Sequence, residues 1–217
     1  MFKLSPSILS ADFANLQSEI EKVEKAGVEY LHIDVMDGEF VPNITLGAPI
    51  VKAIRKHSKL VFDVHLMIIK PHRHIEEFAK AGADIITVHS EAVEDLGECI
   101  SFIKSFGVKA AVSVKPKTPI EVIYPYLNEL DMVLIMSVEP GFGGQSFIEE
   151  MYEKIVKLRN EIDKRCLNVE IEVDGGANLS NIKAIIESGV DVVVAGSAIF
   201  GSQNIEQAVK DFRKNGI

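Results

Sequence analysis

The sequence predicts an α/β fold, a single-domain (β/α)8 barrel of the TIM type over residues 1–217, on three observations. Short β-rich runs alternate with amphipathic stretches along the chain. Several runs, such as MVLIMSV and VDVVVAG, are almost continuously apolar, the pattern of parallel strands covered on both faces. The run-plus-stretch unit recurs eight times, with no Pro/Ser-rich linker or composition shift to mark a boundary. A doubly wound open sheet competes, but it would be supported by a G-x-G-x-x-G turn after the first strand, where SADF stands instead.

Taken in order, the first strand is expected over residues 3–9, with Ser10 or Asp12 capping a helix over 13–26. A strand over 30–35 and a helix over 48–57 follow, then a strand over 60–67 and a helix over 75–81. The fourth and fifth units give strands over 84–89 and 109–114, with a helix over 96–106 between them. Strands over 132–138, 169–174 and 190–195 complete the set, with helices over 147–164, 179–188 and 205–214. Glycines 27, 82, 107 and 189, each ahead of a strand, read as helix C-caps.

The charge balance excludes some functions. With 23 Lys+Arg against 32 Asp+Glu and a net charge of −9, the chain lacks the basic face of a nucleic-acid binder. It has no apolar run long enough to span a membrane. MFKLSPSILS has no long apolar core after a basic start, so a signal peptide is not expected. Cys99 and Cys166 stand far apart in no metal-type spacing and read as reduced thiols of a cytoplasmic protein.

Chemistry concentrates at the ends of three runs, YLHIDVMDG, LVFDVHLM and VEIEVDGG. His32 and Asp34 are two residues apart, so a strand points them to one side. His65 and Asp174 are polar exceptions near the ends of their own runs. Each residue alone would read as a hydrogen-bonded core histidine or a turn-forming aspartate. Gathered at the C-terminal mouth of a barrel, the four make a divalent-metal site, because such groups buried without a partner are costly. Two nitrogens with two carboxylates and no thiolate suit a catalytic Zn²⁺, Mn²⁺, Fe²⁺ or Co²⁺ better than Mg²⁺ or Ca²⁺. Such an ion polarises a carbonyl, and carboxylates on opposite sides of a substrate can remove and deliver a proton, inverting the carbon next to it. Asp63 and Glu172, one pleat deeper, read either as partners that orient the ligands or as inner-layer hydrogen-bonding groups.

Three adjacent loops carry glycines where a phosphate would sit: EPGFGGQSF with Gly141, Phe142, Gly143 and Gly144, then DGGAN with Gly175 and Gly176, then AGSAIF with Gly196 and Ser197. No lysine or arginine lies in them, so the grip would rest on backbone N–H groups and the Ser197 hydroxyl. Met36, Met67 and Met136 read equally as core or as an apolar pocket wall, and Ser7 could bond a substrate hydroxyl. His89, His57, His72 and His74 read as structural. Residues 42–47 and the strand-six loop could be lids.

The sequence resembles the ribulose-phosphate 3-epimerases. The likeness runs from SPSILSADF through HIDVMDGEFVPNITLG, DVHLM and MSVEPGFGGQSF to EVDGGAN and AGSAIF. It implies a barrel interconverting D-ribulose 5-phosphate and D-xylulose 5-phosphate. His32, Asp34, His65 and Asp174 would ligate one divalent ion, zinc being the usual assignment and iron, manganese and cobalt also associated with the family. Asp34 and Asp174 would be the acid–base pair across a metal-stabilised enediolate, Ser7 would contact substrate, and Gly143, Gly144, Gly175, Gly176, Gly196 and Ser197 would fall in the phosphate loops. A homo-oligomer is expected. Ala177 and the 115–118 turn depart from the usual pattern without touching this chemistry. An epimerase for a six-carbon ketose phosphate, a metal-free lyase and a binding-only barrel are the alternatives. The lyase would need a lysine beside Asp34, and strand two offers none.

Overall fold

A computed structural model describes residues 2–216. Its eight strands form one parallel sheet in the order β1-β8-β7-β6-β5-β4-β3-β2. In chain order they are β1 (Lys3–Ser5), β2 (Tyr30–Met36), β3 (Val61–Met67), β4 (Ile85–His89), β5 (Lys109–Val114), β6 (Met132–Met136), β7 (Glu170–Asp174) and β8 (Val192–Val194). The seam between β1 and β2 closes through one parallel bridge, Ser7 to His32, with the His32 N–H donating to the Pro6 carbonyl at 3.0 Å. The result is the expected barrel.

Helices α1 (Leu16–Lys25), α2 (Ala48–Arg55), α3 (Ile75–Ala81), α4 (Leu96–Ser105), α5 (Met151–Lys164), α6 (Ile182–Glu187), α7 (Ser197–Phe200) and α8 (Ile205–Asn215) surround the sheet. Their apolar stripes, such as Ile20 and Val23 on α1 or Ile155, Leu158 and Ile162 on α5, are buried in the main core with outward sheet residues such as Leu31, Phe62 and Val64. Inside the barrel floor, Tyr30, Ile85, Ala111, Met132 and Val192 form a separate apolar layer. The glycines expected to cap helices do so: Gly27, Gly82, Gly107 and Gly189 all have positive φ.

Several boundaries differ from expectation, some of them for identifiable reasons. β1 stops at Ser5, because the Ser7 hydroxyl caps a 3-10 turn over Ile8–Ser10 by accepting from the Leu9 N–H. Of the two expected cap residues, Asp12 is the one that caps, accepting from the Ala14 N–H at the next turn. β6 ends at Met136, where the Ser137 N–H makes the last ladder bond, to the Asp174 carbonyl, and the Ser137 hydroxyl bonds the carbonyls of Asp174 and Gly175. The segment between β5 and β6, where no helix was expected, is a 3-10 helix over Ile120–Glu129 that holds Pro125.

A regularity at the barrel floor was not anticipated. An acid directly precedes each even strand and accepts an amide N–H from the odd strand beside it: Leu4 to Glu29, Phe62 to Asp84, Ala110 to Asp131 and Ile171 to Asp191. A base from the surrounding helices pairs with each acid: Arg213, Arg55, Lys104 and Arg159 respectively. The acids and bases are partly exposed, so these contacts set register more than they add stability.

Candidate active site

The strand registers assemble the site. Pairing Asp34 with His65 and His32 with Asp63 across β2 and β3 puts both histidines and both aspartates on the inward face. β7 brings Asp174 and Glu172 to the same space. One donor atom from each of His32, Asp34, His65 and Asp174 lies within 4.8 Å of all the others. His32 Nε2 is 3.3 Å from His65 Nδ1, and each of these nitrogens is 3.4 Å from Asp34 Oδ1 and 3.9 Å from Asp174 Oδ2. Tetrahedral zinc with bonds of about 2.0–2.1 Å needs donor atoms roughly 3.3–3.4 Å apart. Three edges already match and the two to Asp174 need only a small closure. Both histidines are fully buried, so their nitrogens can serve only this interior. The donors, their spacing and the excess of carboxylate over cation fit a divalent ion.

Three of the four cluster residues are oriented from behind. His32 Nδ1 lies 2.6 Å from Asp63 Oδ2, and Thr87 Oγ1 donates to the other Asp63 oxygen at 3.0 Å. Ser7 Oγ donates to Asp34 Oδ2 at 2.5 Å, leaving Oδ1 facing the histidines. Thr45 accepts from the Met36 N–H at 3.0 Å and donates to the Asp34 carbonyl at 2.6 Å, pinning the 42–47 loop to the end of β2. His89, read from sequence as structural, is buried against the site, with Nε2 2.8 Å from His65 Nε2.

The two carboxylates at the mouth are electrostatically unequal. Burial opposes ionisation of Asp34, but His32 and His65 hold it well below its ordinary range. Burial, with the Asp34 charge nearby, raises Asp174 to about 6. Burial likewise lifts Glu172 well above its range, aided by the neighbouring Asp63 charge. Burial lowers His89 to about 4, so its imidazole is neutral. A pair of carboxylates with environments that push their pKa values apart is the arrangement of an acid–base couple.

Above the cluster, one cleft collects the other sequence-predicted residues: Ser7, Asp34, Met36, Met67, Met136, Gly141, Phe142, Gly143, Gly144, Asp174, Gly175, Gly176, Gly196 and Ser197 all line it. His32 and His65 lie beneath. Ser10, considered only as a cap, also lines the cleft, and a Cβ on Gly196 would come 2.6 Å from its Oγ. Gly176 has φ +70°, and a Cβ there would sit 2.3 Å from the Phe147 nitrogen, so only glycine lets the β6 and β7 loops meet. Gly176→Ala is expected to destabilise the fold by about 2–4 kcal/mol, combining left-handed strain with overpacking. Denaturant unfolding checks this, and an unchanged midpoint would mean that the Phe147 segment yields.

A parallel barrel whose mouth gathers a His/Asp cluster, two converging carboxylates and a glycine-walled cleft has the build of an enzyme site. More particularly, the chain belongs to the ribulose-phosphate 3 epimerase family, whose model matches residues 3–200. It is 50% identical over 214 residues to the ribulose-phosphate 3-epimerase of Bacillus subtilis (strain 168), covering 98% of this chain and 99% of that protein. The chloroplastic ribulose-5-phosphate-3-epimerase of Arabidopsis thaliana is 48% identical over 212 residues, 97% of this chain and 75% of that protein. Among solved structures, 3-hexulose-6-phosphate synthase from Salmonella typhimurium superposes with a TM-score of 0.73 at 22% identity, over 99% of this chain and 98% of that one. KGPDC from Streptococcus mutans gives 0.72 at 14% identity, over 99% and 97%. At these identities the two structures show the shared barrel alone.

Proposed function

We propose that the chain interconverts D-ribulose 5-phosphate and D-xylulose 5-phosphate by moving the proton at C3. The observation that carries this reading is the pair Asp34 and Asp174, converging on one cleft above two buried histidines. The names of the relatives support the substrate. His32, Asp34, His65 and Asp174 would hold one divalent ion, zinc by preference and Fe²⁺, Mn²⁺ or Co²⁺ as substitutes. When bound, that ion supplies Lewis-acid stabilisation for negative charge developing on the substrate oxygens.

The chain's own residues do the rest. Asp34, held ionised, takes the C3 proton from one face of the sugar, and Asp174 delivers a proton to the other; the roles exchange in reverse. Ser7 steadies Asp34 through Oδ2 while its other oxygen faces the cluster. Met36, Met67 and Met136 give the reacting carbons an apolar wall that keeps water from the enediolate. The phosphate would lie among the backbone N–H groups of Gly143, Gly144, Gly175, Gly176, Gly196 and Ser197, at the loop ends after β6 to β8. Ile44 and Phe142, 76% and 55% exposed, stand on the 42–47 and β6 loops, which touch where Asn43 Nδ2 donates to the Gly141 carbonyl at 3.1 Å. These residues would close over bound sugar. A cytoplasmic homo-oligomer completes the reading, consistent with the free thiols of Cys99 and Cys166.

The test is a coupled assay of D-ribulose 5-phosphate conversion on metal-stripped protein with Zn²⁺, Mn²⁺, Fe²⁺ or Co²⁺ restored. Turnover that returns with metal is expected. No turnover with any ion, but turnover of six-carbon ketose phosphates, would move the substrate. Inactivity toward all of them would leave a binding-only barrel.

A further inference from the structure

We propose that His89, oriented by Glu91, is a positioning residue that fixes the tautomer and ring orientation of His65. The proposal rests on the metal reading of the His/Asp cluster. It begins from a difference between the two histidines. His32 is held directly by a buried carboxylate, Asp63 at 2.6 Å. His65 has no carboxylate behind it; its outer nitrogen, Nε2, meets the Nε2 of a second imidazole, His89, at 2.8 Å.

The direction of the hydrogen bonds follows from the chemistry of the ligand. A nitrogen that binds a metal carries no proton. Nδ1 is the His65 nitrogen facing His32 and Asp34, so its proton sits on Nε2 and His89 Nε2 must accept it. The His89 proton then sits on Nδ1, which lies 3.3 Å from Glu91 Oε2. Donation runs one way, from His65 to His89 to Glu91, and reversing either imidazole would set two N–H groups or two lone pairs face to face.

The far end of this relay is anchored. Glu91 Oε1 accepts the Lys115 N–H at 2.8 Å and the Thr118 hydroxyl. Lys154 on α5 donates to the carbonyls of Lys115, Pro116 and Thr118 at 3.1, 2.6 and 2.9 Å, which holds the turn. The ring planes are fixed as well. His89 meets His65 edge to edge, with centroids 4.9 Å apart and planes 28° from parallel, and Phe40 packs against His89 at 4.7 Å. A residue that only filled space would need no such directed chain. The 115–118 turn is thereby tied to the site through Glu91.

The experiment uses Co²⁺ as probe, reading affinity by chelator competition and ligand geometry by the visible d–d bands. It compares wild type with His89→Phe, His89→Gln and Glu91→Gln. Phenylalanine keeps the packing and removes the acceptor, and is expected to weaken Co²⁺ binding about 10–100-fold and shift the bands. Glutamine can accept through its carbonyl and is expected to restore most of both. Glu91→Gln, at a side chain 23% exposed, should fall between wild type and His89→Phe. Wild-type affinity and bands in His89→Phe would overturn the proposal, as would a His89→Gln protein as impaired as His89→Phe. If His89→Phe does not fold, wild-type behaviour of Glu91→Gln overturns it instead. A wild type that binds no Co²⁺ removes the metal reading and the proposal together, whereas variants that bind like wild type remove only the relay.

Discussion

Asp174→Asn and Asp34→Asn are each expected to lower epimerase turnover by about 10³–10⁴-fold while leaving the far-ultraviolet spectrum unchanged. Asparagine keeps the size and one acceptor oxygen, so packing at the strand ends is preserved, but it cannot take a proton from carbon. The expected loss is larger than for a hydrogen-bonding residue, because on the proposed scheme both positions combine proton transfer with a ligand atom. Metal content measured beside turnover separates the two roles. A variant that retains metal and loses turnover supports proton transfer at that residue. Substantial activity in either variant would sink the two-base scheme.

The second large effect concerns stability. Asp63 is fully buried, accepts from Thr87, and lies 2.6 Å from His32 Nδ1. Burial opposes its ionisation, but His32 holds it below its ordinary range. Asp63→Ala strands two buried donors with no acceptor and is expected to cost about 3–5 kcal/mol. Asp63→Asn, which keeps a carbonyl oxygen, should cost less. Urea unfolding of the metal-free proteins measures both. A loss below about 1 kcal/mol for alanine would mean that His32 turns to another partner, for which Glu172, 3.7 Å away, is placed.

Much of the site was legible because a barrel converts local spacing into position. Residues two apart on a strand face the same way, and strand ends meet at one mouth, so His32, Asp34, His65 and Asp174 could be grouped without a contact being known. The glycine loops after β6, β7 and β8 were readable for the same reason. What escaped depends on partners far along the chain. His89 looked like a lone core histidine, because the barrel makes β3 and β4 neighbours but does not tell the register that brings the two imidazoles into line. Ser10 enters the cleft only through its approach to Gly196. The 3-10 helix over Ile120–Glu129 was hidden by Pro125, which interrupts a helical pattern, and β1 was read too long because the turn at Ile8–Ser10 is as apolar as a strand.

The floor acids divide the barrel by four. Each odd–even strand pair carries its own acid between the strands and its own helix-borne base, in the combinations Glu29 with Arg213, Asp84 with Arg55, Asp131 with Lys104 and Asp191 with Arg159. The identities vary while the charge pairing persists, so the repeating module is a two-strand cassette defined by an interaction and not by a sequence motif. One cassette is drawn from the two ends of the molecule: Glu29 follows the first helix, and its arginine lies on the last. A chain recut to begin at any other cassette would keep all four pairings, and its one new break would fall away from the mouth where the chemistry resides.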